Sequence, residues 1–169
     1  YNGSEKIIGD NIQTKQFCIV TKTIPFMEKN DLKTELHYIK NAFNKSLNKL
    51  NRKNIYGLLV HNSKDLLGPK GSFVWDELSK LKELKVVQKI GVSVYDIKEL
   101  EEITKKYFID IIQIPFNVFN QSFKINGCIK HLKSLNVEIH ARSIFLQGLI
   151  GMNVNAIPYE FSELKSHIL

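Results

Sequence analysis

Apolar and polar positions divide the chain into two kinds of segment that follow each other in turn. Five runs of six or seven mostly apolar residues predict strands buried on both faces of a parallel sheet. These runs are Phe17–Lys22, Ile55–His61, Lys89–Val94, Ile109–Ile114 and Val137–Ser143. Between them, apolar residues recur at three-four spacing, which is typical of amphipathic helices.

The helical segments have recognisable ends. Asp31 and Asp96 each stand at the start of one, where an Asp side chain accepts a hydrogen bond from the first turn. A short helix is predicted from Ser4 to Asn11, and a last amphipathic helix from Pro158 onward.

Regular alternation of strand and helix predicts an α/β fold with a parallel sheet and right-handed crossovers. The pattern leaves a doubly wound sheet and a barrel both open. A Gly-x-Gly-x-x-Gly turn does not follow the first predicted strand, so the usual Rossmann signature is missing. The 169 residues are enough for one domain with its own core.

Two polar residues end consecutive apolar runs, and they are the first candidates for chemistry. Lys22 and His61 would emerge at the same rim of a parallel sheet, since consecutive strands usually lie side by side. Each residue alone is typical of a strand end that reaches for solvent. The pair favours a functional site.

Composition argues against several classes of protein. The net charge of +7 comes almost entirely from dispersed lysines, with Arg52 and Arg142 as the only arginines, which argues against nucleic-acid binding. No apolar run approaches the roughly 18 residues that a membrane span needs. Cys18 and Cys128 are predicted to be buried free thiols, and they indicate neither a metal site nor a disulfide framework. We therefore expect a cytoplasmic protein.

Six short segments, in chain order, resemble motifs of the aldo-keto reductase family. They are Tyr1-Asn2-Gly3-Ser4-Glu5, Ile19-Val20-Thr21-Lys22, Leu58-Leu59-Val60-His61, Lys89-Ile90-Gly91-Val92-Ser93, Gln113-Ile114-Pro115-Phe116-Asn117 and the loop from Ser143 to Gly148. The family counterparts are Tyr-x-Gly before Ser-Glu, Ile-Ala-Thr-Lys, Leu-Leu-x-His, Ile-Gly-Val-Ser, Gln-x-x-Tyr-Asn and Ser-Pro-Leu-x-x-Gly. The resemblance extends over nearly the whole chain.

The resemblance implies a (β/α)8 TIM barrel that is incomplete here, with the five runs standing for its strands 3–7 and residues 1–169 forming one partial barrel domain. It also implies an NAD(P)H-dependent oxidoreductase that reduces an aldehyde or ketone to an alcohol. Tyr1 would donate a proton to the carbonyl oxygen. Because a phenol has a pKa near 10, the Lys22 ammonium would be needed to lower that pKa. His61 would orient and polarise the carbonyl.

Further residues would hold the cofactor, by the same resemblance. Ser93 and Gln113 would hydrogen-bond the nicotinamide carboxamide, and Ser143, Gln147 and Gly148 would approach the pyrophosphate and ribose. We expect NADP(H) in preference to NAD(H), although the segment that reads the 2′-phosphate is missing. The expected partner is a small-molecule carbonyl substrate.

Two positions depart from the family pattern. Val94 stands where the family has an Asn that shares the carboxamide, and Arg142 stands where it has a Tyr that stacks on the nicotinamide. Our hypothesis is that Arg142 still covers the ring, as a planar guanidinium can, and pairs with an acidic group of the substrate.

The resemblance also predicts that this chain is a fragment. Barrel strands 1, 2 and 8 have no counterpart in it, and neither does the Asp that should pair with Lys22. We expect the isolated piece to be inactive. Two other functions stay open: a non-catalytic cofactor-binding barrel that serves as a sensor or subunit, and a different barrel enzyme in which Lys22 forms a Schiff base.

Overall fold

The centre of the molecule is a parallel sheet of five strands that follow one another in chain order. The computed structural model describes residues 3–11, 16–26 and 31–164. The strands are β1 (Val20–Lys22), β2 (Ile55–Val60), β3 (Val87–Ser93), β4 (Ile111–Pro115) and β5 (Glu138–Arg142). A doubly wound sheet reverses its strand order at a switch point, and this order does not reverse, so it is that of a barrel segment.

Helices occupy the connections between the strands. They are α1 (Ser4–Asp10), α2 (Leu32–Lys49), α3 (Ser63–Leu67), α4 (Gly71–Glu83), α5 (Ile97–Lys106), α6 (Ser122–Ile125) and α7 (Cys128–Ser134). Short 3₁₀ segments follow at Leu146–Gly151, Val154–Ala156 and Tyr159–Leu164. Both predicted Asp caps are confirmed, since Asp31 accepts from the Thr34 N–H at 3.0 Å and Asp96 from the Glu99 N–H at 2.9 Å.

The two faces of the sheet differ in what covers them. One face packs against the helices, where Phe43 of α2, Leu78 of α4 and Ile103 of α5 are buried. The strand residues of this core include Leu58, Val60, Ile90, Val92, Ile112 and Ile114. Burial of each such side chain contributes about 1.5–3 kcal/mol. Because side chains alternate along a strand, the residues between these face the other way, and that second face carries the candidate site.

Gly91 allows β3 and β4 to lie close together. A Cβ atom at this position would stand 1.6 Å from the carbonyl oxygen of Ile111, so only glycine fits there. The glycine of the Ile-Gly-Val-Ser segment is therefore a packing requirement of the sheet.

Three details differ from the sequence-based expectations. β1 begins at Val20 and not at Phe17, because Val20 pairs with Gly57 and residues before Cys18 would lie beyond the start of β2. Cys18 precedes β1 and is exposed, so its predicted burial was wrong, whereas Cys128 is buried. Where a final helix was predicted from Pro158 onward, the structure has a 3₁₀ segment at Tyr159–Leu164, and residues 165–169 lie outside the described residues.

Within the described ranges, the longest and most apolar helices still fall short of what a membrane span requires.

Candidate active site

An open cleft of about 670 Å³ lies at the carboxyl ends of the strands. Seven of the nine predicted site residues line it: Lys22, His61, Gln113, Arg142, Ser143, Gln147 and Gly148. They come from four strand ends and one loop, so the parallel sheet brings together residues that are up to 126 positions apart in sequence (148 minus 22).

Backbone pairing sets the positions of Lys22 and His61. Lys22 lies opposite Leu59 in the register of β1 and β2, and His61 follows two residues later on the same face. The buried Thr23 links them, because its N–H donates to Leu59 O at 2.9 Å and its Oγ1 accepts from the His61 N–H at 3.2 Å. The two side chains therefore start from a shared rigid frame.

Positive charge is concentrated in the cleft. Burial lowers the pKa of the Lys22 ammonium below its usual value, and the Arg142 guanidinium lowers it further. Burial also lowers the pKa of His61, with added repulsion from Lys22 and Arg142. The neutral imidazole is therefore favoured, which is the form that donates one N–H while remaining uncharged.

Arg142 projects from the end of β5 toward the end of β3. Its Nη2 donates to the carbonyl oxygen of Val94 at 3.4 Å, and its guanidinium carbon lies 4.0 Å from the centroid of the Tyr95 ring. Arg142 Nε is buried and has no hydrogen-bond partner within residues 3–11, 16–26 and 31–164. Position 94 thus accepts a hydrogen bond through its backbone carbonyl, although the apolar Val94 side chain can form none.

Gln113 and Ser93 occupy different depths. Gln113 lines the cleft, whereas Ser93 is buried, with 1% of its surface exposed. Ser93 Oγ donates to Gln113 Oε1 at 3.4 Å. The structure therefore places Ser93 beside the Gln113 amide and away from the cleft surface.

The loop after β5 adopts an unusual backbone conformation. Ser143, Leu146 and Gln147 have φ angles of 59°, 48° and 58°, and Gly148 has 96°. Left-handed conformations cost non-glycine residues about 1–2 kcal/mol each, and such strain is found preferentially at functional sites. Ile144 and Phe145 also line the cleft, and their N–H groups donate to no acceptor in the described part of the chain. Two backbone donors are thus free for a ligand.

Tyr1 lies outside the described residues. The nearest described residues, Gly3 and Ser4, line a groove of about 470 Å³ together with Lys22 and His61. Glu5 attaches this segment to the sheet, because its Oε1 accepts from Thr21 Oγ1 at 2.9 Å. The chain segment next to Tyr1 therefore borders the candidate site.

A second group of charges lies deeper on the same face. Glu138, at the start of β5, contacts Lys89 Nζ and accepts from Tyr56 Oη at 2.5 Å, and its second oxygen lies 2.6 Å from His140 Nε2. These contacts, the Lys89 bond first, lower the pKa of Glu138 to about 2. Glu138 in turn raises the pKa of Lys89. This group, which we call the Glu138 cluster, consists of Tyr56, Lys89, Glu138 and His140.

Comparison with known proteins identifies the family. The family model described as the aldo/keto reductase family matches residues 1–166. The chain belongs to this family. A search of curated proteins finds no match.

Solved structures of aldo-keto reductases share the fold. A holo form from Bacillus halodurans has a TM-score of 0.70 and 18% identity, covering 92% of this chain and 52% of its own. A glycerol dehydrogenase from Gluconobacter oxydans has a TM-score of 0.66 and 21% identity, covering 92% and 50%. An enzyme from Klebsiella pneumoniae, solved with NADP and acetate, has a TM-score of 0.66 and 14% identity, covering 96% and 56%.

These neighbours confirm the predicted fold class. The five parallel strands with alternating helices are an incomplete (β/α)8 barrel of the aldo-keto reductase type. The chain spans about half the length of the solved structures that it matches.

Sequence reasoning missed two residues of this aldo-keto reductase cleft. Tyr95 lines it beside Arg142, and Thr23 fixes the backbone of His61. Each stands one position beyond a predicted strand end, where side chains of a barrel reach its mouth. Extending each predicted strand by one residue would have found them.

Proposed function

We propose that this protein is an NADP(H)-dependent oxidoreductase that reduces an aldehyde or ketone to an alcohol, with residues 1–169 forming one partial barrel domain. The convergence of Lys22, His61, Gln113 and Arg142 on one cleft is the observation that carries the proposal. Family membership supports the same reaction class.

The cleft suits a nicotinamide cofactor. Gln113 offers an amide that can both donate to and accept from the nicotinamide carboxamide. The loop with Ser143, Gln147 and Gly148, together with the free N–H groups of Ile144 and Phe145, offers hydrogen-bond donors for the pyrophosphate. Bound NADP(H) would supply the hydride.

The chain's own residues would handle the carbonyl oxygen. Neutral His61 would donate a hydrogen bond to that oxygen, which orients the carbonyl and stabilises developing negative charge. Tyr1 Oη would then donate the proton, with the Lys22 ammonium lowering the pKa of the phenol. Support for this role of Tyr1 is the groove that Gly3 and Ser4 share with Lys22 and His61.

Binding and turnover, measured separately, test the proposal. The protein, expressed with any flanking sequence that its gene encodes, is titrated into NADPH while nicotinamide fluorescence is followed, and NADPH oxidation is then assayed with simple aldehydes. We expect both a fluorescence change and turnover, with NADPH bound more tightly than NADH. If neither coenzyme binds, the proposal is wrong.

A non-catalytic, cofactor-binding barrel is the second candidate. Arg142 favours it, because a fixed guanidinium occupies the position where the family has a stacking Tyr. NADPH binding without turnover on any simple aldehyde would support this function.

A barrel enzyme that uses Lys22 as a Schiff-base lysine is the third candidate. The lowered pKa of Lys22 favours it, since a Schiff base forms from the neutral amine. Borohydride trapping of a carbonyl substrate on Lys22 would support this reaction, and a failure to trap would exclude it.

A further inference from the structure

Tyr95 links two clefts at the mouth of the sheet. It lines the cleft with Arg142 and Gln113, and it also lines a neighbouring cleft of about 540 Å³ that contains His61 and Glu99. The side chain is 57% exposed, which is high for a large aromatic residue.

The backbone of Tyr95 is held by the start of α5. Its N–H donates to Glu99 Oε2 at 2.9 Å, while the Glu99 N–H donates to Asp96 Oδ1 at 2.9 Å. Asp96 is the N-cap of α5, and Glu99 accepts from the residue just before it, so the two bonds together fix the entry of the chain into the helix. The Tyr95 ring therefore projects from a well-defined point.

The ring provides a surface for Arg142. The guanidinium carbon is 4.0 Å from the ring centroid, which is well within the range of a cation–π contact. Within residues 3–11, 16–26 and 31–164, the guanidinium makes one hydrogen bond, the long one to Val94 O at 3.4 Å. Stacking on Tyr95 is therefore the main contact that holds the charge at this place.

We propose that Tyr95 is a positioning residue that fixes the Arg142 guanidinium at the nicotinamide end of the cleft, so that the protein discriminates between the reduced and the oxidised cofactor. This inference rests on the proposed function. The oxidised nicotinamide ring carries a positive charge and the reduced ring is neutral, so a fixed cation beside the site disfavours only the oxidised form. An arginine without the ring to stack on can move away, and the discrimination falls.

Dissociation constants for NADPH and NADP⁺, measured by calorimetry on the same preparation, test this role. The readout is the ratio of the NADP⁺ constant to the NADPH constant. We expect Tyr95→Leu to lower this ratio about two- to fivefold, the range expected for loss of a cation–π contact at an exposed site. Tyr95→Phe keeps the ring and should restore the ratio, because the phenol oxygen forms no hydrogen bond to any described residue.

A double-mutant cycle shows whether Tyr95 acts through Arg142. Arg142→Gln should lower the ratio as Tyr95→Leu does, and the double variant should lower it no further. Phe108→Leu is the matched control, since Phe108 is 99% exposed and precedes the amino end of β4, away from the cleft. It should leave the ratio unchanged, and thermal unfolding of each variant reports on folding.

The outcomes are distinguishable. An unchanged ratio in Tyr95→Leu, additive effects in the cycle, or a Tyr95→Phe variant that behaves like Tyr95→Leu each overturns the positioning role while the proposed function stands. If the wild-type protein binds neither form of the cofactor, the proposed function fails, and this inference fails with it.

Discussion

Two layers of charge on one face of the sheet differ in how their charges are compensated. In the Glu138 cluster, a carboxylate contacts a lysine, a histidine and a phenol within the fold. At the rim, nearer the carboxyl ends of the strands, Lys22, His61 and Arg142 come together, and no acidic side chain among the described residues lines their cleft. The charges of the deeper layer are stabilised by ion pairs and hydrogen bonds within the fold. The positive charge at the rim has no such partner in its cleft, and a ligand can neutralise it.

The difference separates structural from functional charge. Ionisable groups whose environment opposes their charged form mark candidate sites, because folding alone gains nothing from them. The pKa of Lys22 is lowered, which favours its neutral form, and the pKa of Glu138 is lowered, which favours its ionised form. Because the fold disfavours one charge and favours the other, the two mutations should have opposite effects on stability.

Lys22→Met gives the largest expected effect. It should reduce carbonyl turnover by about 100-fold or more, because the proposed proton donor, Tyr1, would lose the cation that we propose lowers its pKa. It should leave the free energy of unfolding unchanged or raise it, since the folded state disfavours the Lys22 charge at neutral pH. Steady-state kinetics and urea denaturation measure the two quantities.

Lys40→Met is the matched control for loss of one lysine, because Lys40 is exposed on α2. It should change neither turnover nor stability. A Lys22→Met protein that is both active and less stable would contradict the interpretation that Lys22 serves function and not stability.

Glu138→Gln should have the opposite profile. We expect the free energy of unfolding to fall by about 1–2 kcal/mol at pH 7, a value reduced for the partial exposure of the cluster. The folded pKa is depressed from 4.5 to about 2, so this contribution is fully present above pH 4.5 and is lost as the pH falls toward 2. Urea denaturation of both proteins across this range should show the difference disappear.

Glu77→Gln controls for a carboxylate in an exposed ion pair, because Glu77 contacts Lys80 on the surface of α4. It should cost less than about 0.5 kcal/mol. The Glu138 cluster loses its structural interpretation if Glu138→Gln costs no more than this control.

Asp65→Asn tests a rim-side charge that the cleft does not include. Burial raises the pKa of Asp65 to about 6, and Glu35 adds to the rise, although the Phe26 N–H donated to Asp65 opposes it. Because the folded pKa is raised from 3.8 to about 6, ionisation of Asp65 lowers the free energy of unfolding as the pH rises through this range. Below pH 3.8 the carboxyl is protonated in both states, and there is no such loss. The variant should be about 1 kcal/mol more stable than wild type at pH 7.5.

Urea denaturation of Asp65→Asn and wild type at pH 7.5 and pH 4 tests this prediction. We expect the variant to be more stable than wild type only at pH 7.5. Asp76→Asn, which removes an exposed carboxylate from α4, is the control for net charge. A gain that persists at pH 4 would mean that the carboxylate is not the cause.

Thr23→Val gives the smallest expected effect. It removes the hydroxyl that accepts the His61 N–H, which is worth about 0.5–1.5 kcal/mol, so kcat should fall roughly threefold. The dissociation constant for NADPH should not change. Thr23→Ser, which keeps the hydroxyl, should restore kcat, and equal losses in both variants would mean that the methyl group matters instead.

Much of the fold and of the candidate site follows from local sequence patterns. Apolar runs, three-four spacing and two Asp caps are read within short windows, and they predicted strands and helices whose positions the structure confirms to within a few residues. The strand ends at Lys22 and His61 were recognisable for the same reason, because a polar residue that ends a buried run stands out locally.

Contacts between distant segments required the tertiary structure. The stacking of Arg142 on Tyr95 joins residues 47 positions apart (142 minus 95), and Glu138 meets Tyr56 across 82 positions. Glu138, His140 and Arg142 alternate along one strand, so the sequence showed that they share a face and could not show which charges would find partners. Pairing depends on which strands the sheet brings together, and strand order and register set that arrangement.

The sequence by itself therefore determined the elements of an α/β barrel segment and the residues at its rim. The tertiary structure decided which of those charges are neutralised within the fold and which are left for a ligand. The physical reason is that burial and electrostatic interaction depend on distances through space, which the order of residues along the chain does not specify.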